Sequence, residues 1–501
     1  MIDAAYDTCI RFADRVSRHP RLALLLGLPL MLAAILSINR LILRDFPNSS
    51  DEYVYLYQAA TMAAGRLWNQ APPAPAAFHF TYIDVDGPRI YGSFPAGWPL
   101  ALALAMVLHV PVWLVNPLLG LVTVLLAAVL ARRLYGPRAA VWAAIVIGTM
   151  PYVLFNAASY FSHPLCGVLL LAAACLATGA HRRRWWVAAA VGFLLAWAIL
   201  ARYYTGVVCG IPIGLMLLRR PQGVSTPDYR RFVTRTTAWL IAGAVPWMIS
   251  LAWYNLRLNG SPWELTTEAG TYARWFKPGF VLHGIDILAS HIVRHLTWTP
   301  PALVALYLLF LRRTARERRT PLDWMLLGNA LPLYFYFERG GNQYGTRFHY
   351  EAFLFATVFV AGQLFRRDSL HGAPRWERWA FAAFALSLFA LPVQYTAHGL
   401  IERRVVHERT DPYRMVARAG LRDAVVFLGN PIGTRRTMPS RDLTRNGLTY
   451  DGPVLYALDN AAPDDCAVMT HFPRRTPYQY AWDPERRVGT LARIDCGPGR
   501  R

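Results

Sequence analysis

Long apolar segments recur along most of the chain and are separated by short polar or arginine-rich connections. The first covers residues 22–43, and most of the later ones are about 16 to 22 residues long, which is enough for a helix to cross a bilayer. They contain too little alternation of apolar and polar residues for a membrane β-barrel. The pattern predicts an all-α polytopic membrane protein.

The arginine clusters determine the predicted topology. The net charge is +22, and the basic residues lie in short groups beside or between the apolar segments. Basic connections tend to stay cytoplasmic, so this distribution indicates membrane topology and argues against a nucleic-acid-binding surface. With a cytoplasmic N-terminus, the pattern gives about eleven spans. They are 22–43, 115–134, 139–156, 161–180, 185–201, 204–218, 235–256, 300–312, 322–337, 350–365 and 376–396.

Residues 100–134 can be divided in two ways. Pro111 and Asn116 interrupt this stretch, and two spans here would place the arginines of 132–138 outside the cytoplasm. A single crossing, preceded by an interfacial or re-entrant segment at about 100–110, keeps the later basic connections inside. We therefore expect one crossing.

Two large loops interrupt the transmembrane domain, which is predicted to cover residues 1–396. The first loop, 44–97, contains a predicted amphipathic helix at about 53–68 that would lie on the membrane surface, and a turn at 82–87. The second loop covers 257–298. The predicted topology places both loops outside the cytoplasm.

The C-terminal segment, 397–501, is predicted to be a small extracytoplasmic domain of α/β or mainly β structure. It is polar and rich in Pro and Gly, and it contains short strand-like runs at 424–428, 454–458 and 466–470. Cys466 and Cys496 would be able to form a disulfide if this domain faces an oxidising compartment.

Lys277 is the only lysine, and such a bias towards arginine is typical of a GC-rich bacterial genome. We therefore expect a bacterial inner-membrane location.

The predicted topology brings many polar residues to the extracytoplasmic interface. Asp51 and Glu52 follow the first span directly, and burying them unpaired in lipid would be costly. The others are Asp84, Asp86, His163, Arg202, Glu268, Glu338, Arg347, His349 and Glu351. Such a set is typical of a cavity that takes a charged, amphipathic substrate, because helices that only pack together do not need it.

Several of these residues also have a purely structural explanation. Ser50 or Asp51 would suit the N-cap of the following helix. Asp84 and Asp86 flank a predicted turn. A histidine such as His163, at the start of a span, is more often structural than a ligand.

Two arginines indicate an anionic ligand more directly. Arg202 ends one apolar segment and begins the next, which is costly unless it meets an anion. Arg347 immediately precedes a span, where snorkelling to the interface is the alternative explanation. Arginine is suited to bidentate phosphate binding, so the pair suggests a phosphorylated lipid. No nucleotide-binding motif, HExxH or GxSxG sequence is present, and an activated donor would therefore arrive in the membrane.

A carboxylate just after the first span, followed by interfacial helices, resembles the GT-C superfamily of integral-membrane glycosyltransferases. The similarity is to bacterial relatives of the protein O-mannosyltransferase and lipid A aminoarabinose transferase group, and it covers approximately residues 20–395. Tyr344-Gly345-Thr346-Arg347-Phe348 resembles the Gly-x-Arg-Tyr element of that group. The other matching stretches are Arg132-Arg133-Leu134-Tyr135-Gly136, Ser162-His163-Pro164-Leu165 and Ala201-Arg202-Tyr203-Tyr204-Thr205.

The resemblance implies a transferase that moves a hexosyl or pentosyl group from a polyprenyl-monophosphate donor to an envelope glycan, lipid or protein on the extracytoplasmic face. Asp51 would be the catalytic base of an inverting reaction. Glu52 is the second catalytic candidate, and it would alternatively support Asp51 or bind a metal. Arg202 and Arg347 would hold the lipid phosphate. Further substrate-binding candidates are His163, Tyr203, Tyr344 and His349.

The sequence departs from this family at two places. Phe348, His349 and Glu351 follow Arg347 where the family commonly has a hydrophobic continuation and proline, and His163 stands where many relatives carry an acidic residue. No cofactor is specified, although Glu52, Asp84 and His163 have the chemistry to gather around a divalent cation.

The alternative function is a transporter or flippase of a lipid-linked glycan, or a membrane scaffold with a sensor tail. A transporter is expected to show internal repeats and polar residues deep within its spans. This sequence shows no internal repeat, and its mid-span charges are few. A transferase instead requires Asp51, Arg202 and Arg347 to reach one donor, so a separation of more than about 20 Å would argue against it.

Overall fold

Helices make up most of the described chain. The computed structural model describes residues 1–79, 82–220, 225–265, 281–316, 319–333, 343–429, 442–459 and 462–496. The helices before residue 260 are α1 (Ile2–Arg18), α2 (Pro20–Ser37, continued by a π turn, Ile38–Ile42), α3 (Ser50–Ala63), α4 (Gly97–Val107), α5 (Val112–Tyr135), α6 (Pro137–Thr149), α7 (Pro151–Ala157), α8 (His163–Ala177), α9 (Trp185–Ala201), α10 (Tyr203–Leu217) and α11 (Thr226–Asn259). Those after it are α12 (Val281–Trp298), α13 (Leu303–Arg313), α14 (Met325–Leu333), α15 (Tyr350–Leu364), α16 (Arg375–Leu388), α17 (Ala390–Arg409), α18 (Asp411–Arg418) and α19 (Ala462–Met469).

Several of these helices are suited to a membrane. Within the described ranges, four stretches are long and apolar enough to cross one: Pro20–Ile42, Val112–Tyr135, Thr226–Asn259 and Arg375–Arg409. Helices α6 and α7 would form a fifth span if the pair, bent by 62°, counts as one. The bend occurs where Met150 is extended and Pro151 starts a new helix, because proline cannot donate a backbone hydrogen bond. The predicted multi-pass helical architecture is confirmed, while the total of about eleven spans stays a prediction.

Helices α4 and α5 begin close to each other in the structure. Trp98, its second residue, donates its indole N–H to the carbonyl of Tyr160 at 2.8 Å. Asn116, near the start of α5, donates to the carbonyl of Phe161 at 2.9 Å. The starts of α4 and α5 therefore lie close together, and the 11 residues of α4 do not carry the chain to the opposite end. The single crossing, with an interfacial or re-entrant segment before it, stays a prediction.

Glycine allows α9 and α11 to pack backbone against backbone. A Cβ added at Gly192 would lie 1.9 Å from the carbonyl oxygen of Leu240, and one at Gly243 would lie 1.8 Å from that of Ala189. Close approach at small residues is typical of helix pairs in membranes. Elsewhere α11 exposes large apolar side chains, including Ile249 and Trp253, as expected of a helix that faces lipid.

The first loop differs from its prediction in two respects. Helix α3 begins at Ser50 and buries side chains on several faces, so it is part of the protein interior and does not lie on the membrane surface. The predicted turn at 82–87 is largely a strand, because its apolar and acidic residues alternate. Three strands, β1 (Asn69–Gln70), β2 (Ile83–Asp86) and β3 (Arg89–Gly92), form an antiparallel sheet in the order β1-β3-β2.

A small sheet domain follows the last long helix. Its strands β4 (Ala424–Leu428), β5 (Val454–Leu458), β6 (Thr476–Asp483) and β7 (Val488–Arg493) have the order β5-β4-β6-β7. Strand β4 is parallel to β5 and β6, and β7 is antiparallel to β6. Helix α17 runs past the predicted domain boundary at residue 396.

Two of the three strands predicted in this domain were found with the predicted bounds. The third, at 466–470, was wrong, because residues 462–469 form α19. Asp464 and Asp465 occupy its first turn, where carboxylates favour a helix. Cys466 of α19 forms a disulfide with Cys496, with their Cα atoms 5.5 Å apart.

The sheet domain packs against the first loop. Phe78 of that loop shares a buried apolar cluster with Val425, Phe427 and Leu455 of the sheet. Tyr480 of β6 also donates a hydrogen bond to Asp411 of α18 at 2.9 Å. The C-terminal domain and the loop that follows the first span therefore lie on the same side of the molecule.

Candidate active site

Asp51 lies in the first turn of α3. The N-cap of this helix is Ser49, whose hydroxyl accepts the backbone N–H of Glu52 at 3.3 Å. The capping role considered for Ser50 or Asp51 therefore belongs to Ser49. The Asp51 carboxylate instead points towards Arg347.

Asp51 and Arg347 form a direct ion pair. Nη1 of Arg347 lies 2.6 Å from Oδ2 of Asp51, and the two side chains are 11% and 17% exposed, respectively. The Arg347 guanidinium also lies 4.2 Å from the ring centre of Phe161, a favourable cation–π distance. The ion pair joins the start of α3 to the residues just before α15 and stays in reach of solvent.

The position of Arg347 depends on the glycine of the Gly-x-Arg element. Tyr344 and Gly345 both have left-handed backbone conformations, with φ of 54° and 98°. A Cβ at Gly345 would lie 2.5 Å from the ring of Tyr152, so a side chain there would meet both strain and a clash. Tyr152 also donates its hydroxyl to the carbonyl of Thr346, which fixes the turn directly before Arg347.

Glu52 is buried, and its carboxylate accepts hydrogen bonds from two backbone N–H groups. Its Oε1 accepts the N–H of Tyr160 and its Oε2 accepts the N–H of Asn48, each at 2.8 Å. Burial raises the pKa of Glu52 to about 7, while the two N–H donors and the charge of Arg347 act to lower it. Because both oxygens are occupied and the residue is 1% exposed, the geometry favours the supporting role over the predicted catalytic one.

Arg202 lies at the junction between α9 and α10 and contacts a second carboxylate. Its Nε is 3.4 Å from Oε1 of Glu351, and its Nη1 donates to the hydroxyl of Ser162 at 3.1 Å. Nδ1 of His163 lies 3.1 Å from the same Glu351 oxygen. His163 and Glu351 are fully buried, whereas Arg202 is 14% exposed.

The two arginines belong to one site. The guanidinium carbons of Arg202 and Arg347 each lie 5.8 Å from the ring centre of Phe348, so they are no more than twice that distance apart. Arg347 lies over Phe161, and Arg202 contacts the adjacent Ser162. Asp51, Arg202 and Arg347 are thus brought together, as the sequence analysis required of a transferase.

The remaining predicted substrate contacts are buried side chains around this site. Tyr203 and Tyr344 are 7% and 1% exposed. The Tyr344 hydroxyl lies 3.4 Å from Nδ2 of Asn48, and Nδ1 of His349 lies 3.0 Å from Nε2 of His295. Their direct contact with a substrate, like that of His163, stays a prediction.

Asn48 is a connecting residue that the sequence analysis missed. Besides donating to Glu52, it accepts hydrogen bonds at its carbonyl from Gln343, at 3.0 Å, and from Arg409. Its Nδ2 lies 3.3 Å from Oε2 of Glu402. It therefore links the entry to α3, the segment before Arg347 and α17. Nothing in the local sequence distinguishes it, because Gln343, Glu402 and Arg409 lie 295 to 361 residues further along the chain.

Other candidates lie elsewhere. Asp84 and Asp86 belong to β2, where Asp86 pairs with Arg89, and Glu268 and Glu338 lie outside the described residues. In the part of the chain that the structure describes, no group of three or more His, Cys, Asp or Glu residues is arranged to hold a metal. The suggested gathering of Glu52, Asp84 and His163 around a cation is thus not found there.

Two family models match the sequence. One is described as dolichyl-phosphate-mannose-protein mannosyltransferase and matches residues 95–253, the region that contains His163 and Arg202. The other, a domain of unknown function, matches residues 424–494, which is the C-terminal sheet domain. A search of curated proteins found no significant match.

The fold is similar to those of solved membrane proteins. ArnT from Cupriavidus metallidurans bound to undecaprenyl phosphate has a TM-score of 0.54 at 13% identity, covering 94% of this chain and 98% of that chain. The apo state of ArnT has a TM-score of 0.51 at 12% identity, with the same coverage. An Archaeoglobus fulgidus oligosaccharyltransferase in complex with Zn and sulfate has a TM-score of 0.46 at 15% identity over 74% of this chain. This chain spans about half, 53%, of that protein's length.

At these identities the ArnT match concerns the fold: a mostly helical membrane protein with a small C-terminal sheet domain, shared over nearly the full length of both chains. The match to the family model described as dolichyl-phosphate-mannose-protein mannosyltransferase is confined to residues 95–253, so the comparisons show the fold of the whole chain and a mannosyltransferase-like sequence in that segment.

Proposed function

We propose that this protein transfers a sugar from a polyprenyl-monophosphate donor to an envelope acceptor, with inversion at the anomeric carbon and Asp51 as the base. The observation that carries the proposal is the direct contact of Asp51 with Arg347, beside Arg202, with all three side chains partly exposed. The neighbouring acidic residues Glu52 and Glu351 are buried. Only Asp51 among these three carboxylates is therefore placed to meet a substrate.

The reaction assigns a separate task to each charge. Asp51 takes the proton of the acceptor hydroxyl as the hydroxyl oxygen attacks the anomeric carbon. The bond between that carbon and the phosphate oxygen breaks, and the departing polyprenyl phosphate gains a negative charge. Arg202 and Arg347 stabilise that charge, which is greatest as the bond breaks.

Arg347 is suited to exchange one anion for another. Its Nη1 contacts Asp51, while its buried Nε–H has no hydrogen-bond partner among the described residues. A buried donor without a partner is costly, and a phosphate oxygen would satisfy it. Donor binding would then draw Arg347 away from Asp51 and leave the carboxylate available to the acceptor. The undecaprenyl phosphate bound to ArnT, a protein of the same fold, supports this class of ligand.

We further propose that the active face and the C-terminal domain are extracytoplasmic in a bacterial inner membrane, with the N-terminus cytoplasmic. The Cys466–Cys496 disulfide is expected in an oxidising compartment. The sheet domain that carries it packs on the first loop, which leads from the Asp51 helix. We accordingly place the domain boundary after α17, whose contacts at Asn48 belong to the site.

Asp51→Asn should abolish sugar transfer, because an amide cannot accept the acceptor proton; loss of a general base lowers turnover by about 100-fold or more. The measurement is mass spectrometry of envelope glycans and glycolipids in a deletion strain, complemented with each variant. Wild type should restore the missing sugar and Asp51→Asn should not, although the variant is expressed and binds undecaprenyl phosphate. Asp86→Asn, which alters another Asp–Arg pair of the same loop, is the matched control and should restore it. Normal glycans with Asp51→Asn would refute the base assignment.

Arg347→Ala should weaken binding of undecaprenyl phosphate by about tenfold or more, since a charge-assisted contact to the phosphate is lost. Binding is measured by titration of the purified protein in detergent. Arg89→Ala, which removes the arginine of the control pair, should leave the affinity unchanged. An unaltered affinity in Arg347→Ala would exclude this arginine from the phosphate site.

Glu52→Gln should lower the free energy of unfolding by about 1–3 kcal/mol, because the amide nitrogen would face a backbone N–H that the carboxylate now accepts. The thermal stability of the Glu52→Gln protein is compared with that of the Glu264→Gln protein. Glu264 is exposed, so no change in stability is expected there. The folded Glu52→Gln protein should still restore the missing sugar. A stable Glu52→Gln protein that is as inactive as Asp51→Asn would return Glu52 to a catalytic role.

A further inference from the structure

We propose that Glu351 is the positioning residue for Arg202: anchored by His163, its carboxylate fixes the guanidinium in the orientation that receives the donor phosphate. The inference rests on the proposed function, in which Arg202 binds that phosphate. Neither Glu351 nor the His163–Glu351 contact has a part in the proposed chemistry.

Glu351 has the geometry of a rigid anchor. It is the second residue of α15 and is fully buried. One of its oxygens, Oε1, lies 3.4 Å from Nε of Arg202 and 3.1 Å from Nδ1 of His163. A carboxylate paired with arginine acts as an acceptor, so His163 donates its Nδ1–H to it. The contact therefore ties together α15, the start of α8 and the junction of α9 with α10.

This anchor determines the direction in which Arg202 points. The backbone of Arg202 is extended, with φ of −155° between two helices, and no loop restrains the residue. The charge of Glu351 attracts the guanidinium through an ion pair at 3.4 Å, which is not a hydrogen bond, while Nη1 donates to the hydroxyl of Ser162 at 3.1 Å. Ser162 follows Phe161, whose ring lies under the Arg347 guanidinium. Both arginines are thereby directed to one short segment.

The two arginine–carboxylate pairs differ in a way that separates their tasks. Asp51 is 17% exposed, whereas Glu351 is completely buried behind Arg202. A bound donor can therefore replace Asp51 as the partner of Arg347, but it cannot reach Glu351 without displacing Arg202. Glu351 would stay paired with Arg202 throughout the reaction. It would affect donor binding only by orienting that arginine.

A double-mutant cycle of Glu351→Gln, Arg202→Gln and the double variant tests this dependence. The readouts are the affinity for undecaprenyl phosphate and the thermal stability of each protein. Glu351→Gln should weaken binding by about tenfold, which corresponds to about 1.4 kcal/mol, because the guanidinium is no longer oriented. The double variant should bind no more weakly than Arg202→Gln alone. Unchanged binding in Glu351→Gln, or independent losses that multiply in the double variant, would overturn the proposal.

Variants of His163 test the anchor without touching either charge. His163→Asn places an amide N–H near the position of Nδ1 and should retain most of the affinity, whereas His163→Leu removes the donor and should resemble Glu351→Gln. Equal affinities in the two His163 variants would contradict the anchoring role. If Glu351→Gln does not fold, the His163 variants still test the anchor, and weaker binding in the double variant than in Arg202→Gln would overturn the proposal, since both charges of the pair are then removed together.

Glu377→Gln is the matched control for the loss of a buried, arginine-paired glutamate. Glu377 is 9% exposed and lies 2.6 Å from Arg366 beyond the other end of α15. This variant should lose stability but keep its affinity for undecaprenyl phosphate, and reduced affinity would show that stability alone explains the Glu351 result.

Failure of the proposed function is separate: it would appear as normal glycans with Asp51→Asn, whatever the outcome of the double-mutant cycle.

Discussion

The ion pair between Asp51 and Arg347 is the contact on which the candidate site depends. It joins two segments that are 296 residues apart in sequence. Neither partner is held by this contact alone. Glu52 and Asn48 fix the entry to α3, while Gly345 and Tyr152 fix the turn that precedes Arg347. The surroundings thus determine where two opposite charges meet at the edge of a largely apolar structure.

Charge balance explains why this site can exist beside hydrocarbon. Arg202 and Arg347 each have a carboxylate partner; Glu351, the partner of Arg202, is fully buried, whereas Asp51, the partner of Arg347, is partly exposed. A transporter would be expected to distribute such groups along its pathway. Here they gather around Phe161 and Phe348, which favours a reaction at a single place.

Sequence patterns predicted the architecture because burial in a membrane imposes long apolar segments. Strands β4 and β5 were also predictable, since both are short apolar runs between polar turns. Residues 466–470 were not, because a short apolar run fits a helix as well as a strand, and two aspartates in the first turn favour the helix.

The site was only partly predictable. Asp51, Arg202 and Arg347 attract notice because charged residues beside long apolar segments need partners. The different environments of Asp51 and Glu52 were not apparent, because neighbours in a helix point in directions about 100° apart and the sequence does not show which one faces inward. The partners of Asn48 and Glu351 are distant along the chain, so only the folded structure reveals them.

A structure of the wild-type protein with undecaprenyl phosphate bound would test the central claim most directly. The account predicts that the phosphate contacts both Arg202 and Arg347, that Arg347 has moved away from Asp51, and that Glu351 remains on Arg202. A phosphate bound away from both arginines, with the Asp51–Arg347 ion pair intact, would contradict it.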